Sequence, residues 1–204
     1  MRRLEKSNKG RSKRGCAGAL IRFLLFLLVI ILLAVFVVNK YNDSGMSEKI
    51  KRKQYPVKYE HFVEKYAEEY DLDKYLVLSV IRTESRFDVY AVSSVGAKGL
   101  MQLTDETGRD CAKKLKMSGY TDDVLFDPEI NIRLGCFYLN SLIEKYGDLN
   151  TALAAYNGGP GNVDKWLSEQ GKKSDIKVEN IPFYETRHYV QKVNEAYRTY
   201  KSLY

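Results

Sequence analysis

An apolar run near the N-terminus constrains the fold of this chain more than any other feature. Residues 17–38 read AGALIRFLLFLLVIILLAVFVV, and Arg22 is the only charged residue among them. At about 1.5 Å per residue, a helix of this length crosses a hydrocarbon layer about 30 Å thick. A helix lying on a membrane surface would need a polar face, and residues 23–38 offer none. The run therefore predicts one transmembrane helix over residues 17–38.

The excess positive charge of the chain lies at the N-terminal end. The formal net charge is +7, and residues 1–38 hold eight basic residues against the single acid Glu5. The rest of the chain is balanced, with 25 residues of each sign. Because basic residues before a span are retained inside the cell, we expect residues 1–16 to form a cytoplasmic head and the C-terminal part to be exported. A neutral domain also argues against nucleic acid as a partner.

A cleaved secretory signal is the alternative interpretation of the apolar run. The run is longer than a usual signal core, and no clear small-residue cleavage site follows Val38. We therefore favour a single-pass anchor in the cell membrane. Residues 39–56, NKYNDSGMSEKIKRKQYP, are polar and turn-rich and indicate a linker. Residues 57–204 then form one domain.

The pattern after the linker predicts helix after helix, with little of the period-two alternation that strands require. Asp127 and Pro128 supply an N-cap and a first-turn proline for a long helix that stops at Gly147. The NGGP run at 157–160 is a strong stop signal. We expect an all-α domain, whose other helices cover residues 59–70, 73–86, 104–115 and 151–156, with a last helix beginning near Pro182.

Glu84 is a carboxylate in an unexpected position. On a helical wheel it falls inside the apolar stripe that contains Leu76 and Ile81. Burial disfavours the charged form, so the pKa should rise and the group could hold a proton near neutral pH and donate it. The alternatives are a structural carboxylate paired with a base such as Arg86 or Arg187, and a carboxylate that is exposed because the helix ends there.

A segment with few charges and two glycines follows Glu84. Residues 91–104 read AVSSVGAKGLMQLT and contain Gly96 and Gly99. Glycine lets a ligand approach the backbone closely, and loops carry many binding residues. The spacing alone leaves open whether this segment faces a ligand or is an ordinary connector.

Several ordered motifs carry a family resemblance. They are Glu84-Ser85, AVSSVGAKGLMQ at 91–102, FDP at 126–128, AAYNGGPG at 154–161 and IPFYETRHYV at 181–190. Together they closely resemble the soluble-lytic-transglycosylase-like domain of glycoside hydrolase family 23, over roughly residues 59–200. The resemblance implies a lysozyme-like α fold of the goose type, with a cleft for peptidoglycan glycan strands.

The resemblance also implies which residues form the site. Glu84 matches the single catalytic glutamate of the family. Serine and glutamine can hydrogen-bond sugar substituents, and tyrosines offer flat faces and hydroxyls to sugar rings. The expected substrate-binding residues are Ser93, Met101, Gln102, Tyr156, Asn157 and Tyr189, with core packing as the alternative for Met101 and Tyr189. Glu185 and Arg187 are expected to brace the last helix, as an ion pair.

The implied reaction uses one carboxyl group twice. Glu84 protonates the β-1,4 bond between N-acetylmuramic acid and N-acetylglucosamine, and then takes the proton of the muramoyl 6-hydroxyl as that oxygen attacks C1. The product is a 1,6-anhydro sugar, and no water is consumed. The alternatives are a muramidase that hydrolyses the same bond with a second acid such as Asp88, and a non-catalytic peptidoglycan-binding or assembly module.

The sequence predicts no metal and no cofactor. The two histidines, His61 and His188, are far apart and lack flanking ligand spacing. Cys111 and Cys136 lie in the part expected outside the cell, where a disulfide is chemically permitted. The sequence leaves open whether they form a bridge or stay as two buried thiols.

Overall fold

The computed structural model describes residues 13–43, 45–171 and 174–204, and helices dominate these stretches. Within them, β-type pairing is limited to isolated bridges of Lys98 with Val92 and Leu103. This confirms the all-α class. Residues 1–12 of the predicted cytoplasmic head lie outside the described residues. The helices are α1 (Lys13–Asp43), α2 (Met46–Gln54), α3 (Glu60–Glu69), α4 (Lys74–Glu84), α5 (Asp105–Lys114), α6 (Pro128–Tyr146), α7 (Leu149–Gly158), α8 (Pro160–Glu169) and α9 (Tyr184–Leu203), with short 3-10 helices at Asp122–Phe126 and Val178–Asn180.

The chain divides into two compact units, Met1–Lys53 and Gln54–Tyr204. In the first unit, the stretch Gly18–Tyr41 of α1 is long and apolar enough to cross a membrane. Its large apolar side chains are 38–63% exposed, and so much apolar surface is costly in water. The polar segment predicted as a linker is helical over Met46–Gln54 rather than turn-rich. Good helix formers and the i,i+4 ion pair of Arg52 with Glu48 favour that conformation.

Side-chain caps fix the helix starts in the second unit. The Asp73 carboxylate accepts a hydrogen bond from the backbone N–H of Tyr75 at the start of α4. Thr104 and Asp127 cap α5 and α6 in the same way, and Gly147 ends α6 in a left-handed conformation with φ 64°. These boundaries agree with the prediction because short polar side chains and glycine signal helix ends locally.

The structure differs from the prediction at several helix ends, and α7 covers Leu149–Gly158 instead of residues 151–156. Helix α4 ends at Glu84 instead of residue 86, because Arg86 and Phe87 adopt left-handed φ values of 53° and 67°. The stop signal ends α7, but Pro160 at once begins α8, a helix that the sequence interpretation missed. A proline suits the first helical turn because its missing N–H is not needed there. The last helix begins at Tyr184 rather than at residue 182.

Two apolar cores lie on either side of the segment between α4 and α5. The larger core draws on α3, α4 and α6 to α9, and includes Leu100 and Met101 of that segment. The smaller core contains Leu103 of the same segment together with residues of α5, α6 and the first 3-10 helix. Cys111 and Cys136 are both buried free thiols, and burial raises the pKa of Cys111 to about 11. The segment after Glu84 is thus anchored at the junction of the two cores.

Candidate active site

Glu84 is the last residue of α4, a helix that packs against α9. Burial raises the pKa of its carboxyl group to about 7. The C-terminal end of a helix carries a partial negative charge, which also disfavours a carboxylate at this position. A carboxyl group with such a pKa is partly protonated at neutral pH and can both donate a proton and accept one.

In the part of the chain that the structure describes, Glu84 is not neutralised by a basic side chain. Among the described residues, no Lys, Arg or His forms an ion pair with it. Arg86 is exposed, and Arg187 donates from Nη1 to the backbone carbonyls of Glu179 and Ile181 at 3.4 and 3.3 Å. The alternative of a structural ion pair therefore finds no support. The predicted pairing of Arg187 with Glu185 is likewise not found among these contacts.

Tyr189 of α9 brings a hydroxyl group toward Glu84. The side chain is 6% exposed, and its hydroxyl lacks a partner with full hydrogen-bond geometry among the described residues. Its interaction with the Glu84 carboxyl lowers the pKa of that carboxyl, against the larger effect of burial. Burial raises the pKa of Tyr189 itself well above its usual value, so the phenol stays protonated. The hydroxyl is a donor available to an ionised Glu84 or to a ligand.

Glu84 opens onto two adjoining cavities. The larger, which we call the main cleft, has a volume of about 820 Å³, and the smaller, the α9 cavity, has a volume of about 450 Å³. Both are in the usual range for ligand sites. Asn157, Tyr184 and Glu185 also line both. The acid therefore lies where an extended ligand can continue on either side of it.

Ser85 ties the end of α4 to the segment that follows. Its hydroxyl donates to the Leu100 carbonyl at 2.8 Å and accepts from the Phe87 N–H at 3.1 Å. These hydrogen bonds help to offset the energetic cost of the left-handed backbone conformation at Arg86 and Phe87. The chain turns sharply after Glu84, so its carboxyl is placed at the helix end and beside the main cleft.

Asn131 holds the other end of the segment, and sequence reasoning missed it. This fully buried side chain accepts from the Met101 N–H at 2.7 Å and donates to the carbonyls of Lys98 and Leu125 at 3.0 and 2.8 Å. Gly99 has φ 76°, and a Cβ there would overlap the Leu125 carbonyl oxygen and the Asn131 amide. The sequence feature that could have revealed Asn131 is a polar residue on the apolar face of α6.

Ser93 and Gln102 both line the main cleft, as predicted. The Ser93 hydroxyl accepts from the Ala97 N–H at 3.0 Å, and the Gln102 amide nitrogen donates to the carbonyls of Ala91 and Gly99 at 3.0 and 2.9 Å. Gln102 thus braces the loop with its nitrogen, while its amide oxygen has no hydrogen-bond partner within the described ranges. Their contact with substrate stays a prediction.

Tyr156 and Asn157 line the main cleft, but Met101 does not. The Tyr156 hydroxyl donates to the Met101 carbonyl at 2.8 Å, which joins α7 to the loop. The Met101 side chain is fully buried, and its sulfur fills the space that a Cβ on Gly135 would need. Of the two interpretations for Met101, the structure supports core packing.

Several lining residues were not singled out from the sequence. They come from separate parts of the chain, which are the end of α4, the loop after it, the N-cap of α5, and α9 with the residue before it. No local pattern shows that these parts meet. They are Ser94, Val95, Thr104, Phe183, Tyr184 and Thr186 in the main cleft, and Thr83, His188 and Lys192 in the α9 cavity.

The second acid proposed for hydrolysis does not reach the site. Asp88 lies beyond the end of α4, is exposed, and accepts from the Tyr90 N–H at 2.9 Å. It lines neither cavity, because α4 does not continue far enough to place it on the same face as Glu84. Glu185 is the carboxylate that shares both cavities with Glu84. No group of three or more metal-ligand residues occurs in the part of the chain that the structure describes.

Comparisons of the sequence with known proteins agree on one family. The family model described as transglycosylase SLT domain matches residues 61–179. The soluble lytic murein transglycosylase of Escherichia coli K12 is 35% identical over 153 residues, covering 72% of this chain and 24% of that protein. The membrane-bound lytic murein transglycosylase C of Yersinia enterocolitica is 35% identical over 167 residues, covering 71% of this chain and 47% of that protein.

Solved structures show the same fold. The 70-kDa soluble lytic transglycosylase of Escherichia coli aligns with a TM-score of 0.69 and 33% identity, covering 74% of this chain and 25% of that one. An inactive glutamate-to-glutamine variant of the lytic transglycosylase Slt of Pseudomonas aeruginosa aligns with a TM-score of 0.65 and 33% identity, covering 72% and 24%. The chain thus spans about a quarter to a half of the length of these relatives. The lysozyme-like fold is confirmed, and the chain belongs to the transglycosylase SLT domain family.

Proposed function

We propose that this chain is a membrane-anchored peptidoglycan lytic transglycosylase in which Glu84 acts first as acid and then as base. The observation that carries the proposal is a carboxyl group with a pKa of about 7 at the junction of two cavities. Relatives described as lytic murein transglycosylases support the substrate and the reaction class. A non-catalytic binding module would have no need for a carboxyl group held in this state.

In the first step, Glu84 donates its proton to the glycosidic oxygen between N-acetylmuramic acid and N-acetylglucosamine. The C1–O bond breaks, and the N-acetylglucosamine side leaves with a free hydroxyl group. Positive charge develops at the muramoyl C1 and ring oxygen while Glu84 becomes a carboxylate. The Tyr189 hydroxyl lies beside that carboxylate and can donate to it, which steadies the charged form that burial disfavours.

In the second step, the muramoyl 6-hydroxyl attacks C1 and loses its proton to Glu84. The acid is regenerated, and the product carries a 1,6-anhydro bridge. A group with a pKa near the working pH suits both directions of transfer, because neither protonation state is strongly disfavoured. Ser93 and Gln102 of the main cleft are the groups we assign to hydrogen bonds with the sugar substituents.

The membrane arrangement is part of the proposal. Residues 17–38 would span the cell membrane once, with residues 1–16 in the cytoplasm and residues 57–204 outside, where peptidoglycan is found. The apolar stretch Gly18–Tyr41 and the basic residues that precede it support this orientation. A relative described as membrane-bound is consistent with the anchor.

The chemistry is tested with purified peptidoglycan and two carboxyl variants. The wild-type chain should release anhydromuropeptides, which are one water lighter than the reducing products of a muramidase. Glu84→Gln should lower the rate by about a thousandfold or more, because amide replaces the proton donor. Binding of glycan strands should change little.

Glu185→Gln is the matched control in the same cavities. Hydrolysis would need a second carboxylate to place water, and Glu185 is the candidate that the structure offers. We expect the anhydro product to persist in this variant. Reducing muramic acid as the wild-type product, or a Glu84→Gln enzyme that still cleaves at the wild-type rate, would refute the mechanism.

A further inference from the structure

The α9 cavity contains a strip of side chains that the reaction at Glu84 does not use. Tyr184, His188 and Lys192 follow one another at four-residue intervals on α9, so they lie along one face of the helix. All three are exposed. The strip lines the same cavity as Glu84 and as Tyr189, the α9 residue whose hydroxyl interacts with the Glu84 carboxyl.

The α9 cavity has two charged residues, Glu185 and Lys192, without an ion-pair partner among the described residues. Within the described stretches, no carboxylate forms an ion pair with Lys192, and no basic group forms one with Glu185. The two residues lie seven positions apart, which is about 10 Å along a helix. The cavity therefore offers a cation at one end and an anion at the other. A ligand with both kinds of charge complements it.

An aromatic pair also lines this cavity, and we call it the Tyr184–His188 wall. The rings of Tyr184 and His188 stack with their centroids 5.9 Å apart and their planes 13° apart. Tyr184 is 73% exposed and borders the main cleft as well. Exposed aromatic rings at the edge of a cavity are typical of binding surfaces, because they bury much area at low conformational cost.

The chemistry of peptidoglycan supplies a ligand of this kind. Its stem peptide is joined to the lactyl group of N-acetylmuramic acid, the same sugar whose C1 reacts at Glu84. The stem carries free carboxylates and commonly a free amine on its diamino acid. A strand with its scissile bond at Glu84 brings a stem close to the adjoining cavity.

We propose that the α9 cavity binds the acidic stem peptide of the substrate strand, with Lys192 pairing with a stem carboxylate across the Tyr184–His188 wall. This inference rests on the proposed function, since it takes peptidoglycan as the substrate. It adds a preference for strands that retain their stems. Lys192 acts in recognition and has no part in proton transfer.

The experiment compares two substrates and three forms of the full chain. The substrates are soluble glycan strands with intact stems, and the same strands after an amidase has removed the stems. The variants are Lys192→Met and Gln191→Glu. Both lower the net charge of α9 by one, but Gln191 is exposed and lines neither cavity, so it controls for charge alone.

We expect Lys192→Met to raise the KM for stem-bearing strands about fivefold, the effect of losing one exposed ion pair, with kcat unchanged. Gln191→Glu should behave as wild type on both substrates. On strands without stems, all three forms should have the same KM. If Lys192→Met leaves the KM for stem-bearing strands unchanged, or raises KM equally on both substrates, the stem site is wrong. If the wild-type chain forms no anhydro product from either substrate, the proposed function itself fails.

Discussion

The two walls that meet at Glu84 are held in place by different forces. On one side, the segment after α4 is fixed by hydrogen bonds between backbone atoms and the side chains of four residues, Ser85, Asn131, Gln102 and Tyr156. On the other side, α9 is fixed mainly by apolar packing against α4, with Val190 and Val193 fully buried. We call the segment after α4 the polar wall and α9 the apolar wall. The polar wall sets the shape of the main cleft. The apolar wall removes water from the carboxyl group and thereby raises its pKa.

Because different forces hold the two walls, a mutation in one wall should have different consequences from a mutation in the other. Losing a hydrogen bond in the first wall should loosen the loop and lower stability without a specific effect on the protonation of Glu84. Changing the polar group in the second wall should move the protonation of Glu84 with little effect on the loop.

The largest effect is expected from Asn131→Ala in the polar wall. The change removes the Asn131 partner of the Met101 N–H and of the Leu125 carbonyl, whereas the Lys98 carbonyl keeps the Leu103 N–H at 3.1 Å. A buried unsatisfied group costs about 1–3 kcal/mol. We expect unfolding free energy to fall by about 3 kcal/mol, measured by urea denaturation.

Asn140→Ala on the same helix is the control for that change. Asn140 makes one exposed hydrogen bond, to Glu144, so its loss should cost less than about 0.5 kcal/mol. Equal destabilisation by the two variants would show that the polar wall does not depend on the buried amide.

A smaller and more specific effect is expected from Tyr189→Phe in the apolar wall. The Tyr189 hydroxyl lowers the pKa of Glu84, so its removal should raise that pKa further. Cleavage requires protonated Glu84, and the rate should therefore fall as pH rises through the pKa. The fall should move to higher pH in Tyr189→Phe, which a pH–rate profile of kcat/KM measures.

Tyr200→Phe is the matched control for Tyr189→Phe. It removes a buried hydroxyl from the same helix, one that donates to the Pro56 carbonyl at 2.9 Å. We expect it to lower stability by about 1 kcal/mol and to leave the pH profile in place. A shift of the profile in Tyr200→Phe, or none in Tyr189→Phe, would break the link between Tyr189 and the protonation of Glu84.

The sequence could predict features that depend on neighbouring residues, but not those that depend on distant contacts. Helix starts at Asp73, Thr104 and Asp127 depend on residues close in the chain, and local patterns predict them well. The burial of Glu84 was also foreseeable, because helical periodicity places it among aliphatic neighbours. By contrast, the role of Asn131 depends on contacts more than 25 residues away with Lys98 and Met101, and no local pattern shows them.

Met101 illustrates a limit of the family resemblance. The resemblance places this residue beside the substrate, whereas its side chain packs against Gly135 in the core and only its carbonyl reaches Tyr156. The α8 helix shows a limit of local signals. The glycines before Pro160 end α7, as predicted, and Pro160 then begins α8. The local sequence does not show whether a loop or a new helix follows such a stop.

The most direct test of the account is the titration of the Glu84 carboxyl group itself. Carboxyl NMR signals of the wild-type chain, assigned by comparison with Glu84→Gln, would be followed from pH 3 to pH 9 at about one-unit steps. We expect a midpoint at about pH 7. A midpoint at the ordinary glutamate value of 4.5 would contradict it, because Glu84 would then hold no proton to give at neutral pH.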